Sequence, residues 1–258
     1  MLLVWWKAIL QMVQLLSFKC IYLLMENIQY FNPKELVNSH FSIVCAKRRG
    51  GKSTLIGDLI DKQFENGDID IAILFTGTDA DFPMIKKQFR YSAEEIDKLD
   101  DIVDNYTVMN EFNKIADEKD KFKLKTIVIL DDCALQYKSK EFAEKLSNLS
   151  VRGRHYSYSP LSLSFFIITQ KICCLPTTCR CNADYIIFNN ISSMTELDTV
   201  MNENFFLMDS SRDGKKIARN LYNDLVSSEP YLFVVCENHR SNIREYKDYI
   251  KKYVVRKK

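Results

Sequence analysis

Short runs of apolar residues, separated by polar stretches, recur along most of the chain. Runs that are apolar at nearly every position predict strands buried on both faces, as in parallel sheets. The first begins at Phe41, and others are predicted at 71–75, 126–130, 165–168, 185–188 and 231–235. Apolar residues at helical spacing predict helices from the end of the first run to about Gln63, and at 93–99, 111–122, 141–149, 197–203 and 217–225.

Strands that alternate with helices predict an α/β fold with a mostly parallel central sheet and helices on both faces. Two further segments fit less regular structure. Residues 106–109 are predicted to form a short edge strand, and the lysine-rich residues 246–258 a helix or tail. We therefore expect a main domain at 26–240, preceded by an apolar extension at 1–25 and followed by a basic helix or tail at 241–258.

The connection after the first strand has the composition of a phosphate-binding loop. That motif requires a glycine, four free positions and then Gly-Lys-Ser/Thr. Gly51-Lys52-Ser53 match it, whereas Ala46 stands at the position of the leading glycine. Glycines let backbone N–H groups approach phosphate oxygens, and the helix N-terminus that follows favours an anion. The nucleotide-binding residues predicted here are Lys47, Arg48, Arg49, Gly50, Gly51, Lys52, Ser53 and Thr54.

Two other predicted strands also end in polar residues. Asp131 and Asp132 follow the run at 126–130, and Gln170 follows the run at 165–168. Ligands of parallel sheets bind beyond the carboxyl ends of the strands, so these side chains are expected to meet the phosphate loop. Asp131 and the Ser53 hydroxyl suit Mg²⁺, Asp132 suits activation of the attacking water, and Gln170 suits sensing of the γ-phosphate.

Basic residues outside the loop have two open interpretations. Arg180 precedes the strand at 185–188 and is either an arginine finger that reaches a neighbouring subunit's nucleotide or a surface residue. A second basic cluster comprises Arg152, Arg154 and His155. It either contacts DNA phosphates or the subunit interface, or it belongs to a solvated loop with no binding role. The net charge of +2 does not by itself require nucleic acid.

The chain has 258 residues, of which 47% are hydrophobic and 27% are charged, and these fractions are ordinary for a folded protein. The eight irregularly spaced cysteines favour a reducing compartment, and the group at 173–181 is a weak candidate metal site. Lys7 and Lys19 interrupt the apolar residues 1–25. This segment is either an amphipathic or membrane-associated helix, a helix packed on the domain, or an upstream extension of the true start.

The order of these motifs resembles the genome-packaging ATPases of nucleocytoplasmic large DNA viruses and the related virophages and polinton-like elements, within the FtsK–HerA superfamily of P-loop NTPases. The resemblance covers roughly residues 41–188. It rests on the loop 47–53, Leu130-Asp131-Asp132, Gly153-Arg154-His155, the strand 166–170, Leu175-Pro176 leading to Arg180, and the segment 182–187.

This resemblance implies a RecA-like, ring-forming ATPase that drives double-stranded DNA into a preformed capsid, with ATP and Mg²⁺ as cofactors. It assigns Lys52 and Ser53 to phosphate and magnesium, and Asp131 to magnesium. Asp132 becomes the catalytic acid, Gln170 the sensor and Arg180 the trans-acting finger. It also implies a capsid or portal-like vertex as partner. The implied location is the viral factory in the cytoplasm of the infected host cell, and the virion.

Two other classes of function remain open from the residues alone. A nucleotide or small-molecule kinase carries the same phosphate loop, although the paired acids and Gln170 suit hydrolysis better. A nucleotide-dependent assembly scaffold would bind ATP without turnover. Stimulation of ATP hydrolysis by double-stranded DNA is expected only of the motor.

Overall fold

A computed structural model of the chain describes residues 27–78, 82–133, 136–153, 160–191, 193–204, 212–239 and 246–255. The predictions made for residues 1–25, for Arg154 and His155, and for 256–258 lie outside these ranges. No helix in the described part of the chain has the length and apolar character needed to cross a membrane.

Strands and helices alternate along most of the described chain. The strands are β1 (Phe41–Ala46), β2 (Ile71–Thr76), β3 (Arg90–Ser92), β4 (Lys125–Asp131), β5 (Ser162–Thr169), β6 (Tyr185–Asn189), β7 (Leu232–Glu237) and β8 (Ile250–Val254). The α-helices are α1 (Lys52–Asn66), α2 (Lys98–Ile115), α3 (Lys140–Arg152), α4 (Thr177–Asn182), α5 (Met194–Asn204), α6 (Arg212–Ser228) and α7 (Tyr246–Tyr249).

The eight strands form one sheet in the order β3-β2-β4-β5-β1-β6-β7-β8. The first six strands in this order are parallel to one another, and β7 pairs antiparallel with both β6 and β8. The predicted mostly parallel sheet is therefore confirmed. Every residue of β1, β5, β6 and β7 is buried, which is why these strands appear in the sequence as nearly continuous apolar runs.

Helices cover the sheet on both faces and enclose two apolar cores. One core packs α1 against the sheet through Leu55, Ile56, Leu59 and Ile60. Burying each of these side chains contributes roughly 1.5–3 kcal/mol, so α1 is firmly anchored behind the phosphate loop. The other core lies under α2, α3, α4, α5 and α6. At the end of α1, Gly67 adopts φ 71° and its N–H donates to Gln63 O and Phe64 O, which ends the helix close to the predicted end at about Gln63.

The region between β3 and β4 differs from the prediction. Residues 93–99 were expected as a helix, 106–109 as an edge strand and 111–122 as a second helix. The chain instead forms a short 3-10 turn at Ala93–Glu95 and then one continuous helix, α2. Leu99 and Tyr106 are buried on one face of this helix, and the Tyr106 hydroxyl donates to Leu124 O at 3.3 Å. Tertiary packing thus overrides the strand preference of a short β-branched and aromatic run.

The prediction of a helix or tail at 246–258 is also wrong for most of the described residues there. After the single turn α7, residues Ile250–Val254 form β8 and pair with β7. Tyr253 and Lys251 are buried, and Lys251 Nζ donates to Gln29 Oε1 at 3.2 Å. Residues 29–31 pair with the free side of β8 through Phe31 N–H to Lys252 O at 2.8 Å and Lys252 N–H to Gln29 O at 2.9 Å. The edge of the sheet is therefore partly covered.

Candidate active site

The carboxyl ends of three neighbouring strands bring the predicted site residues together. In the sheet, β1 lies next to β5, and β5 lies next to β4. Cys45 is level with Thr169, and Asp131 is level with Ile168. The phosphate loop, the paired acids and Gln170 therefore emerge side by side from one edge of the sheet, as the sequence predicted.

The phosphate loop has the backbone conformation that its sequence requires. Ala46 is the last residue of β1 and is extended, so alanine fits where the motif usually has glycine. Gly50 N–H donates to Lys47 O at 2.9 Å, and a Cβ on Gly50 would lie 2.8 Å from that oxygen. Gly51 has φ 81° and immediately precedes α1. Both glycines are therefore needed to turn the backbone towards a bound phosphate.

Lys52 is held inside its own loop. Its Nζ donates to Ala46 O at 2.9 Å and to Lys47 O at 3.2 Å. Burial lowers the pKa of Lys52, while the carboxylates of Asp131 and Asp132 oppose this shift. An ammonium group forms stronger hydrogen bonds with an anion than with neutral carbonyls. Lys52 Nζ would therefore exchange its carbonyl partners for a phosphate oxygen.

Asp131 and Asp132 occupy different environments although they are adjacent. Asp131 ends β4 and is 4% exposed. Burial and the charge of Asp132 raise the pKa of Asp131 to about 6, against the opposing effect of Lys52. Asp132 lies half-buried beyond the strand with φ 52°, and Gln170 Nε2 donates to its Oδ2 at 3.4 Å. The structure thus places one buried acid and one accessible acid beside the loop.

The residues present fit Mg²⁺. This ion prefers hard oxygen ligands and usually shares them with nucleotide phosphates. Ser53 lies exposed in the first turn of α1, and Asp131 is a buried carboxylate whose pKa is raised by burial and by the charge of Asp132. A cation at this position would favour the ionised form of Asp131.

Arg180 is placed elsewhere and is engaged within its own chain. Its guanidinium donates to both oxygens of Glu203, at 2.9 and 2.8 Å, and to Leu175 O at 2.6 Å. Its side chain is only 11% exposed. This ion pair joins α4 to α5, so a role in a neighbouring subunit's site would require Arg180 to leave Glu203. The trans-acting role stays a prediction.

Sequence reasoning missed several residues that shape the site. Gly77 follows β2, and its N–H donates to Asp131 O at 3.1 Å. A Cβ on Gly77 would lie 2.8 Å from Asp132 O, so this glycine permits the close approach of the two strand ends. Asn190 follows β6, and its backbone carbonyl accepts the Lys47 N–H at 3.2 Å. Each is a polar or small residue two positions after an apolar run, which is the signal that could have identified them.

Glu196 was missed for a different reason. It lies in α5, is nearly buried, and its Oε2 accepts the Cys173 N–H at 3.0 Å. This bond fixes the turn that follows Gln170. Nothing in the sequence near Glu196 indicates that contact, because its partner lies on a different element.

The cysteines at 173–181 do not form a metal site within the described residues. All four are free thiols, of which Cys179 is buried and Cys173 is exposed. Across the described ranges, no group of three or more His, Cys, Asp and Glu side chains is arranged to hold a metal ion.

Comparisons with known proteins reveal similarity in structure. No protein-family model matches the chain, and no curated protein matches it in sequence. Among solved structures, the genome packaging NTPase B204 from Sulfolobus turreted icosahedral virus 2, in complex with ATP-gammaS, is 14% identical with a TM-score of 0.53. The match covers 88% of this chain and 100% of that chain.

Two other solved structures have a similar fold. EssC (ATPases 2 and 3) from Geobacillus thermodenitrificans is 12% identical with a TM-score of 0.55, over 84% of this chain and 40% of that one. The pCW3 conjugation coupling protein TcpA with ATPgS is 15% identical with a TM-score of 0.51, over 83% of this chain and 59% of that one. The chain therefore has the fold of the P-loop ATPases, and the resemblance drawn from its motifs is confirmed at the level of the fold.

Proposed function

We propose that this protein is an ATP-hydrolysing motor that moves double-stranded DNA and packages viral DNA into a preformed capsid. The observation that carries the proposal is the convergence of Lys52, Asp131–Asp132 and Gln170 at the ends of three adjacent strands. The similarity in fold to a genome packaging NTPase over that protein's whole length supports the choice of substrate.

The proposed chemistry begins with phosphate binding. The backbone N–H groups of the loop and of the first turn of α1 face the phosphates, and Lys52 exchanges its two carbonyl partners for phosphate oxygens. Ser53 and Asp131 would hold Mg²⁺, which would neutralise negative charge on the phosphates. Lys47, Arg48 and Arg49 are exposed around the loop and add positive charge at its entrance.

Hydrolysis then requires a base and an oriented water. Asp132 is the accessible carboxylate, so it accepts a proton as water attacks the γ-phosphorus and the bond to the β–γ bridging oxygen breaks. Gln170 donates to one oxygen of Asp132 and so directs the other towards the water. This pairing of an acid with an amide favours hydrolysis over phosphoryl transfer to another substrate.

The first experiment is steady-state ATP hydrolysis by the purified protein, with and without double-stranded DNA. We expect DNA to increase turnover, and Lys52→Ala to abolish both the basal and the stimulated rates. Hydrolysis that DNA leaves unchanged would contradict a motor and favour a different P-loop enzyme. Binding of ATP without hydrolysis in the presence of DNA would favour a scaffold.

The proposed role of Arg180 in a neighbouring subunit requires a ring, and the proposed partners are double-stranded DNA, further copies of this chain, and a capsid or portal-like vertex. We expect Arg180→Ala to retain ATP binding and lose hydrolysis, and mixing it with Lys52→Ala protein to restore part of the activity. Restoration is expected because some mixed interfaces combine an intact Lys52 with an intact Arg180.

The matched control for Arg180 is Glu203→Ala, which breaks the same ion pair but keeps the arginine. We expect this variant to hydrolyse ATP. Equal loss in both variants, without rescue at any mixing ratio, would show that the Arg180–Glu203 pair acts only within the subunit.

A further inference from the structure

An aromatic side chain packs directly against the phosphate loop. Because β7 runs antiparallel to β6, it begins at the edge of the sheet where β1 and β6 end. Tyr231 is the residue before β7 and therefore lies at that edge. Its Cδ1 would be 3.0 Å from a Cβ on Gly51, the glycine immediately before Lys52. The ring thus forms a wall of the loop, and the missing side chain of Gly51 makes room for it.

The direction of a bound triphosphate follows from the order of the strands. The groups proposed to act on the γ-phosphate, Asp132 and Gln170, follow β4 and β5, on one side of β1. Tyr231 precedes β7, on the other side of β1. A triphosphate whose γ-phosphate points towards Asp132 must direct its nucleoside the opposite way, towards β6 and β7. Tyr231 lies on this path and remains 37% exposed.

The backbone of Tyr231 is held in an unfavourable conformation. Its φ is 58°, in the left-handed region that bulky side chains rarely adopt. Two backbone hydrogen bonds hold this conformation. Val255 N–H donates to Tyr231 O at 3.3 Å, and Leu232 N–H donates to Glu229 O at 3.4 Å. Strain of this kind in a residue that borders a candidate site is a reason to look for a function.

We propose that Tyr231 is the platform on which the base of the nucleoside triphosphate stacks, an assignment that rests on the proposed function. The ring offers a flat apolar face beside the phosphate-binding glycines, and a nucleobase presents the complementary flat face. Asn190 borders the same region, since it follows β6 and binds the loop through Lys47 N–H. The phosphate loop holds the charged part of the ligand, and Tyr231 holds the base.

The test separates the base from the phosphates. Affinities for ATP and for inorganic tripolyphosphate, which has no base, are measured by calorimetry on the full chain with Tyr231→Ala and Tyr231→Phe. We expect Tyr231→Ala to weaken ATP binding by about tenfold, in line with the loss of one stacking contact, and to leave tripolyphosphate binding unchanged. Tyr231→Phe retains the ring and should bind ATP like the unaltered protein.

A control variant and the opposing outcomes complete the test. Phe112→Ala removes a partly exposed aromatic side chain from α2, far along the sheet, and should change neither affinity. Equal weakening of ATP and tripolyphosphate in Tyr231→Ala would show that the ring only shapes the loop, and no change in either would also overturn the proposal. Failure of the motor proposal can be told apart from failure of the Tyr231 proposal. Hydrolysis that does not depend on DNA would contradict the motor, but it would not change the ratio of the affinities for ATP and tripolyphosphate.

Discussion

The sheet has a parallel part, formed by β3, β2, β4, β5, β1 and β6, and an antiparallel part, formed by β7 and β8. The two parts contribute to this protein in different ways. In the parallel part, every strand ends at the same edge, so residues that follow β1, β4 and β5 meet there. In the antiparallel part, β7 runs the other way, and the residue that precedes it, Tyr231, reaches that edge instead. Strand direction therefore decides which flank of an apolar run contributes to the site.

The two parts also differ in what their polar groups do. The parallel part gathers ionisable groups in a partly buried cluster, in which the pKa of Asp131 is raised to about 6 by burial and by Asp132. The antiparallel part uses polar groups to connect elements. The Tyr253 hydroxyl contacts Asp58 and accepts from Lys62 Nζ at 2.6 Å, which joins β8 to α1. We therefore expect substitutions of the acids at the ends of the parallel strands to change turnover, and loss of the Tyr253 hydroxyl to change stability.

The largest effect is expected for Asp132→Asn. Removing the proposed base should lower the turnover number by about 10²–10⁴-fold, while ATP binding stays near that of the unaltered protein. Steady-state ATP hydrolysis and calorimetric ATP binding measure the two quantities. Turnover within threefold (roughly 0.65 kcal/mol in activation free energy) of the unaltered enzyme would remove Asp132 from the mechanism.

A smaller effect is expected for Gly77→Ala. The new Cβ would lie 2.8 Å from Asp132 O, so the strand end must shift. We expect a loss of about 1–3 kcal/mol in unfolding free energy and about tenfold in turnover. The control is Gly67→Ala, whose Cβ would have no atom within 4 Å but whose φ is 71°. That variant should lose stability alone, and an equal loss of turnover in both would refute a local effect on Asp132.

Acid should weaken magnesium-dependent nucleotide binding. Asp131 must be ionised to hold Mg²⁺, and its pKa in the free protein is about 6. The protonated fraction rises as pH falls through that value, so Mg·ADP affinity should fall by about fourfold between pH 7.5 and 5.5. Protonation of the nucleotide phosphate also lowers affinity at acid pH, and it does so whether or not Asp131 is present. Asp131→Asn therefore serves as the reference, and an identical pH profile in this variant would contradict the assignment.

The smallest effect is expected for Tyr253→Phe. This change removes the hydroxyl that joins β8 to Asp58 and Lys62. We expect a loss of about 0.5–1.5 kcal/mol in unfolding free energy, measured by urea denaturation, with turnover unchanged. A marked fall in turnover at unchanged stability would instead show that the antiparallel part takes part in the chemistry.

The success of sequence reasoning differs between these two parts. Six apolar runs were predicted as strands and all form strands, because a segment buried on both faces must be apolar throughout. β8 escaped detection because two adjacent lysines interrupt the apolar residues of its sequence, Ile-Lys-Lys-Tyr-Val. Lys251 is nevertheless buried, since Gln29 and the carbonyl of Lys247 accept from its ammonium group. Such partners cannot be found from local composition.

The candidate active-site residues lie in short contiguous segments. A loop of the Gly-Lys-Ser type, two acids after an apolar run and a glutamine after another are recognisable one segment at a time, and parallel strands necessarily bring their ends together. Glu196 and Tyr231 became visible only when distant segments were placed side by side. Their roles depend on the direction and register of strand pairing, which are determined by contacts between residues far apart in the chain.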